Sequence, residues 1–143
     1  MKILFDYNRT LFNPDTDSLY QGALELLHDM AKRHELILIS RKEVGREEHM
    51  EKLGIRNYFK SVHFVEEKNE KLFKELAEGD THVIVIGDRV KEEILIGNKL
   101  GFTTIWLQQG KFADERPSSP DEQPTHTVQT IAEIKKIITS YEK

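Results

Sequence analysis

The stretch ILFDYNRTLF, residues 3–12, runs three apolar residues directly into an aspartate. A carboxylate that ends a buried strand is costly unless it has a partner or a ligand. Asp6 is therefore the first candidate functional residue, and the polar residues Asn8, Arg9 and Thr10 follow it at once. The stretch also raises the question of why position 8 holds an amide and not a second acid.

Four later runs share the continuous apolar character of the first one: ELILIS (35–40), SVHFV (61–65), HVIVIGD (82–88) and TTIWL (103–107). Apolar runs without alternation are typical of parallel strands that are covered by helices on both faces. Helical patterns separate them, at 19–30, 44–54, 70–79, 91–101 and 130–141. The alternation predicts an α/β fold with right-handed crossovers.

A length of 143 residues predicts a single domain over residues 1–143. In the first helix, Leu19, Ala23, Leu27 and Met30 share a face, and residues 15–18 offer N-cap candidates. Residues 108–126 are rich in Pro, Ser and acidic residues and are interpreted as a surface loop.

Composition narrows the function classes. The formal net charge of −4 disfavours a general nucleic-acid binder. The absence of cysteine excludes disulfides, thiolate metal sites and a thiol nucleophile. No apolar run reaches the length of a membrane helix, and the N-terminus does not read as a signal peptide. A cytoplasmic protein without membrane or nucleic-acid partners is expected.

Polar residues follow every predicted strand, and ligands of open parallel sheets bind at the carboxyl ends of the strands. Two strands end in Asp6 and Asp88, and each strand also delivers at least one cation to this edge. Single cations are common in solvated loops, so the paired aspartates are the stronger signal. Two carboxylates with cations and a hydroxyl indicate a site for a hard metal ion and an anion, most plausibly phosphate.

These motifs resemble the haloacid dehalogenase-like (HAD) superfamily of hydrolases over nearly the whole chain. The family's Asp-x-Asp-x-Thr-Leu motif stands here as FDYNRTL, and its strand-ending Ser or Thr is Ser40 in LILIS. Its lysine before a helix is Lys68 in EEKNEKLF, with Lys71 and Lys74 as alternatives. Its Gly-Asp motif with a later acid is IGDRVKEEI. The resemblance implies a three-layer Rossmann-like sheet of five or more strands in the order 3-2-1-4-5.

The resemblance also implies roles for individual residues. Asp6 would be the nucleophile that forms an aspartyl-phosphate, Ser40 would hydrogen-bond the phosphoryl group, and Lys68 would stabilise its negative charge. Mg²⁺ would be held by Asp6, Asp88 and the backbone carbonyl of Asn8, with Glu93 or else Glu92 as the later acid. Arg41 is a further candidate for phosphate binding, with Lys42 and Arg89 as other cations of the same loops.

Asn8 departs from the family pattern, since the family's phosphatases have an aspartate there. That aspartate protonates the leaving oxygen and later activates water, and an amide does neither. The implied metal contact at this position is a backbone one, so Mg²⁺ binding is expected to survive. Slow turnover, or a preference for labile leaving groups, is the predicted consequence.

The spacing of the motifs leaves no room for a cap domain between Asp6 and Ser40 or between Ser40 and Lys68. An open site is expected, which a large substrate, a neighbouring subunit of a homo-oligomer or the 108–126 loop would cover. Three functions compete: a Mg²⁺-dependent phosphatase, an impaired relative that binds a phosphorylated ligand or a protein partner, and another chemistry such as dehalogenation. The last is disfavoured because it usually goes with a cap and an apolar pocket.

Overall fold

A computed structural model describes residues 1–142 and shows a parallel sheet covered by helices on both faces. Its strands are β1 (Lys2–Phe5), β4 (Glu35–Arg41), β5 (Ser61–Val65), β6 (Val83–Gly87), β7 (Thr103–Leu107) and β8 (His126–Val128). Two short strands, β2 (Phe12–Asn13) and β3 (Ser18–Leu19), form a separate antiparallel hairpin. The order across the sheet is β5-β4-β1-β6-β7-β8.

The sheet confirms the order predicted from the sequence, with β8 added as a sixth strand beside the fifth predicted one. The first strand lies at the centre, where Phe5 pairs with Leu38 of β4 on one side and Ile86 of β6 on the other. The strands before β6 are added on one side of β1 and the later strands on the other, so the residues that follow β1 and β6 lie side by side at this switch point.

The helices are α1 (Ala23–Ala31), α2 (Arg46–Lys52), α3 (Glu70–Ala77), α4 (Leu95–Lys99) and α5 (Ile131–Tyr141). One face of the sheet packs against the apolar sides of α1, α2 and α5, including Leu27, Met50 and Ile134. The other face packs against α3 and α4 through Phe73 and Ile96. Burial on both faces is the physical reason for the uninterrupted apolar strands of the sequence.

The predicted start of the first helix was wrong. Residues 12–19 form the β2–β3 hairpin, and α1 begins only after Gly22, whose backbone is left-handed at φ 87°. Leu19 pairs with Phe12 across the hairpin instead of joining the helical face. The spacing of Leu19 from Ala23 fits a helix, but the left-handed backbone of Gly22 lies between them and interrupts any helical path.

The segment 108–126 lies against the body of the domain and contains two short 3-10 helices, Gly110–Phe112 and Pro120–Glu122. Asn98 of α4 anchors it by donating its amide to the carbonyls of Asp121 and Gln123. Between Asp6 and Ser40 the chain forms only the hairpin, α1 and most of β4, so no cap domain is inserted there. In residues 1–142 no helix combines the length and apolarity that crossing a membrane requires.

Candidate active site

Asp6 and Asp88 follow the two central strands and meet at the carboxyl edge of the sheet. The backbone N–H of Asp6 donates to the carbonyl of Ile86, at 3.0 Å, which continues the β1–β6 pairing up to the carboxylate. Trp106 of β7 donates its indole N–H to the backbone carbonyl of Asp88, at 2.8 Å. Both aspartates are buried, so the sheet itself fixes the position of each side chain.

Glu93 completes a group of three carboxylates, since one oxygen each of Asp6, Asp88 and Glu93 lies within 4.8 Å of the others. It belongs to a π-helical turn, Val90–Ile94, and accepts a hydrogen bond from the backbone N–H of Arg89 at 2.8 Å. Such turns are rare and often occur at functional sites. Gly87 is required here, because a Cβ at that position would lie 2.3 Å from the Glu93 side chain.

Of the two glutamates that the sequence left open, Glu93 is the one that joins the aspartates. It is 2 % exposed, whereas Glu92 points to the cleft rim and pairs with Arg41 and Arg89. Neighbouring residues of a helical turn point to different sides, and the hydrogen bond from the backbone N–H of Arg89, with the space left by Gly87, holds Glu93 on the side of the aspartates.

Lys68 is the only one of the three candidate lysines that is buried, and Lys71 and Lys74 are exposed on α3. Its ammonium donates to Asp6 at 2.6 Å and to Glu93 at 3.0 Å. Burial by itself would lower the pKa of Lys68, but the two carboxylates outweigh it and raise that pKa above its ordinary value. Lys68 is therefore held as a cation directly beside the carboxylate of Asp6.

One ammonium does not neutralise three carboxylates. Burial, together with the charges of Asp6 and Glu93, raises the pKa of Asp88 to about 10. Burial also raises the pKa of Glu93 to about 7, against the opposing effect of Lys68. The three carboxyl groups thus resist ionising together, a divalent cation would allow all of them to ionise, and Mg²⁺ prefers such oxygen ligands. The donor set fits Mg²⁺ on charge and on ligand type.

The loop after β1 holds the other residues of the first motif. Thr10 is fully buried and donates its hydroxyl to Asp6 at 3.1 Å, so it orients the carboxylate. Asn8 is half-buried, bridges to Phe12, and lines the cleft in front of the carboxylates. The next residue, Arg9, lines the same cleft and has a left-handed backbone with φ 61°.

The side chain of Ser40 lies behind the surface of the cleft. It is fully buried and is not among the residues that line the cleft. Its hydroxyl donates to the carbonyl of Arg41 at 3.2 Å and accepts from the guanidinium of Arg46 at 2.9 Å. The Arg41 side chain does line the cleft, where it pairs with Glu92 at 3.0 Å.

Arg46 is a site residue that the sequence reasoning missed. It is the first residue of α2, and its guanidinium contacts Ser40, the carbonyl of Arg41 and Glu43 while lying 5.4 Å above the ring of Tyr7. Its side chain is only 11 % exposed and lines the cleft. The sequence did contain a signal for Arg46, because it is a cation in the first turn of the helix that follows a strand of the predicted site.

The cleft is open, has a volume of about 420 Å³, and is walled on one side by the segment 108–126. Phe112 of that segment lies 3.9 Å below the guanidinium of Arg89 and lines the cleft. Glu115 accepts hydrogen bonds from the backbone N–H of Val90 at 2.9 Å and from the Arg89 side chain at 3.1 Å. The segment therefore braces the loop that carries Asp88 and Glu93.

Comparison with known proteins agrees with this arrangement. The HAD-hydrolase-like family model matches residues 64–134, which include Lys68, Asp88 and Glu93. A curated relative, the glyceraldehyde 3-phosphate phosphatase of Methanopyrus kandleri, is 27 % identical over 101 residues. That match covers 64 % of this chain but only 43 % of the archaeal protein, so the chain spans less than half of that relative's length.

Two solved structures share the fold. A protein from Listeria monocytogenes serotype 4b superposes with a TM-score of 0.80 at 17 % identity, covering 98 % of this chain and 97 % of that one. The HAD-hydrolase YfnB from Bacillus subtilis, solved with bound magnesium, gives a TM-score of 0.69 at 20 % identity. That match covers 84 % of this chain and 56 % of the Bacillus chain.

Proposed function

Because the chain belongs to the haloacid dehalogenase-like superfamily of hydrolases, we propose that it is a Mg²⁺-dependent phosphohydrolase in which Asp6 is the nucleophile. The observation that carries the proposal is the pairing of Asp6 with a buried lysine, 2.6 Å away, inside a group of three carboxylates. A carboxylate paired with a cation, at the carboxyl edge of the sheet, is suited to attack an electrophilic phosphorus.

Hydrolysis would take two displacements at phosphorus. In the first, an oxygen of Asp6 bonds to phosphorus and the ester oxygen leaves, taking a proton from water. In the second, a water oxygen attacks the same phosphorus, the bond to the Asp6 oxygen breaks, and inorganic phosphate departs while a proton passes to solvent. Lys68 neutralises charge on the nucleophile and on the phosphoryl oxygens in both steps.

Asp6, Asp88, Glu93 and the backbone carbonyl of Asn8 would hold the metal ion. Bound there, Mg²⁺ would supply positive charge to the phosphoryl oxygens, which is the main requirement of phosphoryl transfer. The structure of the magnesium-bound Bacillus relative supports this cofactor. Within this chain, the support is a group of three buried carboxyl groups that lie too close together to ionise readily without a cation.

Ser40 and Arg46 would act together on the phosphoryl group. Since Arg46 donates to the Ser40 oxygen, the hydroxyl proton of Ser40 is left to donate elsewhere, at present to the carbonyl of Arg41. A rotation of this hydroxyl towards the cleft would present the proton to a phosphoryl oxygen. Arg46 lines the cleft and would add a charge-assisted contact.

A second candidate function rests on Asn8. Without an acid at this position, proton transfer to the leaving group and from the attacking water has no side chain to assist it, and such assistance is typically worth about 10²–10⁴-fold. The chain would then bind a phosphorylated ligand and turn it over slowly. A labile leaving group, such as that of an acyl phosphate, needs little proton transfer and separates the two functions.

The test is a screen for phosphate release from acyl, aryl and alkyl phosphates, with and without Mg²⁺, and with the Asp6→Asn protein as the blank. We expect Mg²⁺-dependent release that the Asp6→Asn change abolishes, and faster release from the acyl phosphate than from the alkyl ester. Release that continues in the Asp6→Asn protein would exclude Asp6 as the nucleophile. Tight Mg²⁺-dependent binding without release from any compound would favour the second function.

A further inference from the structure

Arg9 occupies an unusual backbone position for an arginine. Its φ of 61° lies in the left-handed region, which residues with a Cβ rarely adopt, and it is one of two non-glycine residues with positive φ in residues 1–142. The other, Asp17, is exposed in a hairpin turn and is of a residue type that tolerates this conformation. Backbone strain of this kind tends to occur at functional sites.

The Arg9 side chain is also poorly paired for its burial. It lines the cleft and is only 16 % exposed, yet its one ionic neighbour among the described residues is the exposed Asp15, at 3.6 Å. The other arginines that line the cleft have close partners: Arg41 pairs with Glu92, Arg46 with Glu43 and Arg89 with Glu115. The guanidinium of Arg9 thus keeps its hydrogen-bond donors available to a ligand.

The net charge of the cleft also favours a ligand with more than one anionic group. Six cationic and five acidic side chains line it, so a bound divalent cation would bring its net charge to +3, in a chain whose own net charge is −4. A phosphate monoester brings at most about two negative charges. One positive charge then remains without a counterpart. Among residues 1–142, Lys42 pairs with no carboxylate, and Arg9 has only the exposed Asp15, at 3.6 Å.

We infer that the cleft selects phosphate monoesters whose leaving group carries a second anionic group, a carboxylate or another phosphate, and that Arg9 binds this group. The inference rests on the proposed phosphatase site, because that site fixes where the first phosphate lies. It adds a substrate class and a specificity-determining residue. Arginine suits the role since its planar guanidinium matches a carboxylate or a phosphate with two parallel hydrogen bonds.

A matched pair of ligands tests the inference. 3-Phosphoglycerate and glycerol 3-phosphate share a three-carbon skeleton and differ in a carboxylate that replaces an alcohol. Calorimetry with the Asp6→Asn protein in saturating Mg²⁺ measures their binding without turnover. We expect 3-phosphoglycerate to bind about tenfold more tightly, the size of effect that a charge-assisted hydrogen bond gives. Equal affinities would overturn the inference.

Variants of Arg9 test whether this residue causes the preference for the ligand with a carboxylate. Arg9→Asn keeps a residue type that tolerates the left-handed backbone and should reduce the preference to about twofold or less, while Arg9→Lys should retain most of it. Lys111→Gln removes a nearby cation that does not line the cleft and should leave the preference unchanged. A preference that persists in Arg9→Asn would show that another residue binds the second anion.

Two further readouts separate the possible failures. Arg9→Gly should raise the melting temperature by about 3 °C, since it relieves the left-handed strain, and a lower melting temperature would contradict the strain on which the inference draws. Phosphate release from glycerol 3-phosphate by the native chain tests the proposed function separately. Release with equal affinities for the two ligands would refute the inference alone, whereas a carboxylate preference without any release would refute only the hydrolysis.

Discussion

Replacing Asp88 by asparagine is expected to stabilise the metal-free protein. Two ionised carboxylates that lie within 4.8 Å of each other, at an effective dielectric constant of about 20, repel each other by at least about 3 kcal/mol. This repulsion and burial are why the pKa of Asp88 is raised from 3.8 to about 10. At neutral pH the folded, metal-free protein therefore keeps a proton on Asp88, and an asparagine imitates that neutral side chain.

The size of the effect follows from linkage. Above pH 3.8 the unfolded chain releases the Asp88 proton while the folded state retains it, so this group lowers the free energy of unfolding as the pH rises. Each pH unit contributes about 1.4 kcal/mol. Asp88→Asn should thus be more stable than the native protein by about 4 kcal/mol at pH 7 and by about 2 kcal/mol at pH 5.

Urea unfolding in EDTA at several pH values measures this difference, with Asp114→Asn, an exposed acid, as the matched control. The control should differ from the native protein by less than about 0.5 kcal/mol at every pH. Addition of Mg²⁺ should stabilise the native protein more than it stabilises Asp88→Asn, because the variant has one charged ligand fewer and binds the ion more weakly. A variant that is less stable in EDTA, or a difference independent of pH, would refute the description of the carboxylate group.

Two other changes probe the same site. Asn8→Asp restores the missing acid, so in saturating Mg²⁺ it should raise the rate of alkyl phosphate hydrolysis by at least about tenfold. The rate of acyl phosphate hydrolysis should rise by less. If neither rate rises, another part of the site limits turnover. Lys68→Met should lower the free energy of unfolding in EDTA by about 3–5 kcal/mol, since it leaves buried carboxylates unpaired. Mg²⁺ should restore part of this loss. Lys71→Met removes an exposed lysine, and an equally large loss in that variant would contradict the prediction.

The strands and their order, with both aspartates at the centre, could be predicted from the sequence. Strands buried on both faces must be apolar without interruption, so each leaves a pattern that local inspection detects. The carboxylates that end β1 and β6 stand out against this background, because a charge at that place is costly without a function. The family motifs then supplied the order of the strands and hence the meeting of Asp6 with Asp88.

The hairpin, the choice of Glu93 over Glu92, and the contacts of Arg9 and Arg46 were decided only by the tertiary structure. Residues 12–19 form a hairpin and not a helix because of turns in the backbone, and the spacing of apolar residues does not reveal such turns. Glu93 reaches the aspartates because of the hydrogen bond from the backbone N–H of Arg89 and the space at Gly87. Arg46 meets Ser40 because α2 begins beside the end of β4. Such contacts depend on how separate elements approach each other in space, and spacing along the chain carries no measure of that approach.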